Sequence, residues 1–197
     1  MNQYFFDTCK PEAQILDTMH LVPPKYTFTV QNYEILHEIF QILDISNMNG
    51  LDDAMFLCFM KKFLPNATEK DIYQIFDLFD SDKNSIIKFD EFVLLVAILI
   101  AQRDDVIMNF MLSNLPICFN LLDIKSCGTI FISSASLIAF LMNIEVQTVK
   151  NLFNDFDTGH NGSLDIEEFK PFILACFDKD KSRKAKKENQ EREFIHI

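Results

Sequence analysis

The sequence predicts an all-α protein of four helix–loop–helix units, paired into two lobes with short β contacts between the paired loops. Three observations predict it. The chain of 197 residues carries 21 Phe but only 4 Gly and 6 Pro, so apolar segments run long between few turn residues. One pattern occurs four times: IFQILD, IFDLFD, CFNLLD and LFNDFD end at Asp44, Asp80, Asp123 and Asp157. The copies fall into two close pairs, Asp44 with Asp80 and Asp123 with Asp157, joined by a longer link.

Each copy supplies the same parts in the same order. Phe40, Phe76, Phe119 and Phe153 stand four residues before the Asp, and apolar residues there recur at the i, i+3, i+4 spacing of an entering helix. With the Asp as loop position 1, position 8 is aliphatic in every copy: Leu51, Ile87, Ile130 and Leu164. That residue is expected in a short extended segment bonded to its twin. Phe56, Phe92 and Phe169 at position 13 start the exiting helix on its core face, where the third copy has Ala135. One unit cannot bury both of its apolar faces, so units must pair. The expected divisions are an extension over 1–28, a first lobe over 29–102, a second over 103–178 and a charged tail over 179–197.

Four registered copies identify the chain as resembling an EF-hand protein of the calmodulin superfamily over about residues 30 to 178. The resemblance implies calcium as the ligand. A hard cation taking several oxygens, commonly closed by a bidentate Glu at position 12, tests each loop. The first, DISNMNGLDDAM, has Met48 at position 5 and Met55 at position 12, and a thioether suits a hard ion poorly. The third, DIKSCGTIFISS, has Lys125, Cys127 and Ser134 at positions 3, 5 and 12. Both are expected to be metal-free. The second offers Asp80, Asp82, Asn84 and Glu91 side chains with the Ile86 carbonyl, although Ser85 replaces the position-6 Gly and Lys88 brings a positive charge to position 9. The fourth offers Asp157, Asn161, Asp165 and Glu168 with the Ser163 carbonyl; Gly159 leaves position 3 without a side chain, and Gly162 fits the turn at position 6.

One or two Ca2+ ions are therefore expected, with dissociation constants on the order of 10⁻⁶ to 10⁻³ M and poor competition from magnesium. At most two sites disfavours a calcium buffer. Two classes remain open: a regulatory sensor whose exiting helices move to expose apolar surface for a partner protein, and a structural module that clasps its partner at any calcium level. Within the superfamily, FDLFDSDKNSIIKFDEF, FNDFDTGHNGSLDIEEFK and the charged end are similar to EF-hand accessory subunits of the sperm cation channel (CatSper), although the third loop departs by lacking a position-12 acid. That resemblance implies a flagellar calcium sensor on the cytoplasmic side of a channel, beside a small partner subunit.

Composition excludes other classes. A formal net charge of −11 and a pI near 4.7 argue against a nucleic-acid partner. The apolar run from Phe92 to Ala101 is too short to span a bilayer, and no signal peptide or integral membrane segment is expected. Five Cys without a CxxC spacing suggest a reduced, cytoplasmic setting. The four His lack zinc spacing, and neither a phosphate loop nor a nucleophile elbow occurs, so no enzyme is expected. Other segments leave alternatives. The helix DEFVLLVAILIAQ is apolar almost all round, through burial between lobes, burial in one lobe's core, or a permanent partner over its outer face. Met55, Met60, Met108, Met111 and Met142 are either core or a partner groove. The extension, broken at Pro23 and Pro24, wraps a lobe or a partner. Pro171 is expected to kink the last helix. The tail, basic from Lys179 to Lys187, is either solvated and partly helical or docked on an acidic surface.

Overall fold

The computed structural model describes residues 15–141 and 144–195. Helices follow in the order α1 (Val30–Leu43), α2 (Asp53–Phe63), α3 (Glu69–Phe79), α4 (Phe89–Arg103), α5 (Ile107–Ser113), α6 (Leu115–Leu122), α7 (Ile132–Leu141), α8 (Val146–Phe156) and α9 (Ile166–Ile195). Strand β1 (Ile130–Phe131) precedes α7, and β2 (Ser163–Leu164) precedes α9. The protein has the all-α, EF-hand architecture that the repeat predicts.

The repeat explains where helices start and stop. Thr29 and Asp52 cap α1 and α2, their side chains accepting the amides of Asn32 at 3.1 Å and Met55 at 2.8 Å. A reciprocal Thr68–Asp71 box caps α3. Each entering helix ends on its loop Asp. The amides of Asp44, Asp80, Asp123 and Asp157 donate to the carbonyls of Phe40, Phe76, Phe119 and Phe153 at 2.9–3.0 Å, and the chain then leaves the helical region. The third entering helix is interrupted before its loop, and Pro116 stands in the first turn of the new helix, α6, where its missing N–H costs no helical bond.

The chain forms two compact units, Met1–Ser113 and Asn114–Ile197. In the first, Leu51 and Ile87 exchange two backbone hydrogen bonds at 2.9 and 2.8 Å. In the second, Ile130 and Phe131 pair antiparallel with Leu164 and Ser163. All four position-8 side chains are fully buried, as expected of aliphatics clamped between paired loops. The backbones approach so closely at the first contact that a Cβ added to Gly50 would meet Ile86 Cβ and the Ile87 carbonyl at 3.1 Å.

The repeated aromatics make each unit's core. Phe92 is fully buried between Phe40 and Phe59, with ring centroids 5.4 and 5.1 Å away. Phe56 packs edge-on against Phe76 at 5.3 Å. In the second unit Phe119 meets Phe169 at 5.6 Å and Phe153 meets Phe172 at 6.0 Å. Met55, Met60 and Met111 are buried core residues, whereas Met142 lies outside the described residues.

Helix α4 is buried at every position from Leu95 to Ala101, against α1, α3 and α5. Part of its cover is the segment before the first hand. Arg103 donates to the Leu16 carbonyl at 2.7 Å and to the Met19 carbonyl, while His20 Nδ1 lies 2.7 Å from Asp104. Leu16, Met19 and Leu21 are themselves buried. Further along, Tyr26 accepts from Asn109 at 3.0 Å, and the Pro24 carbonyl from Ser113 at 3.1 Å. Of the two occupants the sequence allowed for the extension, its described part takes its own unit.

At the other end, α9 stays helical through Pro171 and on through the basic tail to Ile195. Lys, Arg, Glu, Gln and Ala dominate there, and all are strong helix formers. Among the described residues no helix is long and apolar enough to cross a membrane. Burial pushes the Cys118 and Cys176 thiols up to about 12.

Candidate metal centres

All four loops share one backbone framework. Positions 4 and 6 take positive φ throughout: Asn47 and Asn49, Lys83 and Ser85, Ser126 and Gly128, His160 and Gly162. The sequence marks only position 6, through Gly128 and Gly162. Ser85 holds φ 65° there, a conformation costing an ordinary residue about 1 kcal/mol.

The Asp at position 1 holds this framework. Its two carboxylate oxygens accept the amides of positions 5 and 6: Met48 and Asn49 for Asp44, Asn84 and Ser85 for Asp80, Cys127 and Gly128 for Asp123, Asn161 and Gly162 for Asp157, all at 2.7–3.0 Å. The Asp therefore folds the loop whether or not the rest of the loop has donors, which explains its presence in the first and third. Replacing Asp123 by alanine is expected to destabilise the chain by about 1–2 kcal/mol, two amides losing a charged acceptor. A urea melt measures the loss, and the calcium stoichiometry is expected not to change.

The loops differ at position 12. In the first and third, Met55 and Ser134 are buried in the core. In the second and fourth, Glu91 and Glu168 are half-buried and hydrogen-bonded within the loop. Glu91 Oε1 accepts the Ser81 amide at 3.0 Å and the Ser81 hydroxyl at 2.5 Å; its Oε2 accepts the Lys88 amide at 2.9 Å. Glu168 repeats the arrangement, with Oε1 accepting the Thr158 amide at 3.0 Å and the Thr158 hydroxyl, and Oε2 the Asp165 amide at 3.2 Å. The Thr158 hydroxyl, then the Asp165 amide, holds the Glu168 carboxyl below the usual range.

The remaining donors are placed as follows. Asn84 Oδ1 accepts the Ile86 amide at 2.9 Å and its Nδ2 donates to Asp82, which also pairs with Lys88. The Lys88 ammonium holds the Asp82 carboxyl down, and Asp82 in turn holds Lys88 up. Asn161 Oδ1 accepts the Ser163 amide at 2.9 Å and hydroxyl at 2.7 Å. Asp165 Oδ1 accepts the Glu167 and Glu168 amides, both at 2.9 Å, so it also caps α9. Lys125 lies 4.0 Å from the Phe131 ring centre in the third loop.

The donors that the second and fourth loops offer at their ligating positions are thus all oxygens, the chemistry a hard cation selects. Among the described residues no three carboxylate, imidazole or thiol groups converge as a ready cage. The bonds above account for this, since Glu91 and Glu168 turn to positions 2 and 9. Asp80 and Asp157 at the heads of these loops are the buried carboxylates among the described residues.

No family model matches the chain. Cell division control protein 31 of Schizosaccharomyces pombe is 22% identical over 149 residues, 75% of this chain and 81% of that protein. Its Saccharomyces cerevisiae namesake is 23% identical over 73% of this chain and 84% of that protein. Calcium-binding protein CML19 of Arabidopsis thaliana matches at 23%, with the same shares. The fold is the EF-hand fold. These similarities support a place in the EF-hand, calmodulin-like superfamily, whose helix–loop–helix units are hands; hands 1 to 4 follow in chain order.

Proposed function

We propose that this chain is a calcium-binding regulatory EF-hand protein that binds a partner protein and reports the calcium level. One observation carries the reading. The buried carboxylates among the described residues, Asp80 and Asp157, head the two hands that also combine oxygen-only donors with Glu at position 12. Hand 2 would hold the ion through Asp80, Asp82, Asn84, the Ile86 carbonyl and Glu91. Hand 4 would use Asp157, Asn161, the Ser163 carbonyl, Asp165 and Glu168. Calcium supplies no chemistry beyond charge and coordination here; its uptake is a conformational signal. Glu91 and Glu168 lie in the first turns of α4 and α9, so their turning inward would carry those helices with them. The name of the similar Arabidopsis protein, which states calcium binding, agrees with this reading.

Calorimetric titration of the full chain with calcium, beside dye binding to apolar surface, tests the proposal. Two binding events with a rise in dye fluorescence are expected. No heat at millimolar calcium would leave the second reading, a calcium-independent structural module. The observation favouring that alternative is the Asp-to-amide framework, which shapes all four loops through the protein's own groups.

Hand 2 is the weaker of the two in this reading, because Lys88 neutralises Asp82. A unit charge about 6 Å from a divalent ion in water repels it by about 1.4 kcal/mol. Lys88→Met is therefore expected to tighten hand 2 roughly tenfold at low salt, and to leave hand 4 alone. Titration in a Glu168→Gln background isolates the effect.

The finer proposal, an accessory subunit on the cytoplasmic side of a flagellar cation channel, rests on the similarity of hands 2 and 4 and the charged end to that group of proteins. Its test is recovery of the channel's pore subunits with the tagged chain from solubilised flagella.

A further inference from the structure

Hands 2 and 4 share a feature that hands 1 and 3 lack, a hydroxyl at loop position 2. Ser81 and Thr158 occupy it in the hands with Glu at position 12, whereas Ile45 and Ile124 fill it in the others, both exposed. In both cases the hydroxyl and the amide of the same residue bond one carboxylate oxygen, and the position-9 amide bonds the other. The same arrangement thus occurs twice, in separate units of the chain.

The bonds join particular elements. Ser81 follows the end of α3, and Glu91 lies in the first turn of α4; Thr158 follows α8, and Glu168 lies in the first turn of α9. Each hydroxyl–carboxylate bond therefore ties the entering helix of its hand to the exiting one. Bidentate ligation needs both oxygens of the Glu, and both are engaged in these bonds. A bond made only in the metal-free state lowers apparent affinity by the free energy it contributes there.

We infer that Ser81 and Thr158 are positioning residues that lock the position-12 carboxylates of hands 2 and 4 in the metal-free stance, and so set the calcium threshold of each hand. The inference rests on the functional reading above and adds to it which residues hold the response back. A hydrogen bond to a half-buried, solvent-accessible carboxylate sets the scale of the effect at roughly three- to tenfold in affinity.

The test is calcium calorimetry on the full chain, reading hand 4 in a Glu91→Gln background and hand 2 in a Glu168→Gln background. Thr158→Val keeps the branched shape without the hydroxyl and is expected to tighten hand 4 roughly three- to tenfold. Ser81→Ala is expected to do the same for hand 2. Thr158→Ser, which restores a hydroxyl, should keep the parent affinity. A fall in the melting midpoint of the chelator-treated chain should accompany the gain, since the lost bond belongs to that state. Affinity that is unchanged or weaker in both hydroxyl-free variants overturns the lock. A parent chain that gives no heat overturns the functional reading itself, so the two failures are distinguishable.

Discussion

Replacing Phe92 by alanine is expected to cost about 3–5 kcal/mol and to unfold much of the first unit at physiological temperature. The ring is fully buried, touches the Phe40 and Phe59 rings, and lies in the first turn of the exiting helix. Removing it leaves a cavity bordered by two aromatic rings on separate helices, which cannot close without moving α1 or α2. Because single domains typically hold about 5–15 kcal/mol, a loss of this size is a large share of the total. Urea unfolding followed by circular dichroism measures it. A loss below about 1 kcal/mol would mean that the position-13 aromatic is not the keystone the repeat implies.

The second large effect concerns the proposed sites. Glu168→Gln removes a charge and one strong oxygen donor from hand 4, and Glu91→Gln does the same in hand 2. Each is expected to weaken its own hand by about a hundredfold or more, so that one of two calorimetric events vanishes from the accessible range. Replacing both should silence the chain. Fold should be retained, because the Asp80 and Asp157 frameworks do not involve either Glu. A double variant that still binds two ions would dismiss these loops as the sites. A hydroxyl lock adds a second expectation, that each Gln variant loses some stability in chelator as well as affinity in calcium.

Much of this fold is legible in the sequence because the repeat is a record of packing. Phe at −4, Asp at 1, an aliphatic at 8 and Phe at 13 are each imposed by a local need: a core face, a helix stop with loop framework, a clamped strand contact and a second core face. Those needs recur in every hand, with Ala135 in place of the position-13 Phe in the third, so the registers align from residue type alone, and the helices, paired loops and buried position-8 residues follow them. Site residues were legible for the same reason, since oxygen donors occupy fixed loop positions.

Other features leave no periodic trace. Positive φ at position 4 falls on Asn47, Lys83, Ser126 and His160, four residue types with no common signal. The use of the extension as a cover for α4 depends on backbone carbonyls of Leu16 and Met19 reaching Arg103, and carbonyls are the same in every sequence. Helix α4 reads as apolar on all sides, and its cover in the first unit becomes visible only once the extension is placed.

By itself, then, the sequence determined the number of hands, their pairing and which loops carry oxygen donors, because these depend on residue type at fixed local spacing. Only the tertiary structure decided what the repeated loop acids are engaged with. It showed the position-1 Asp bonded to amides in all four loops, Asp82 paired with Lys88, and the position-12 Glu tied back to a hydroxyl ten residues earlier. Hydrogen bonds of that kind are settled by how a loop closes in space, and a linear pattern of donors does not state which partner each will take.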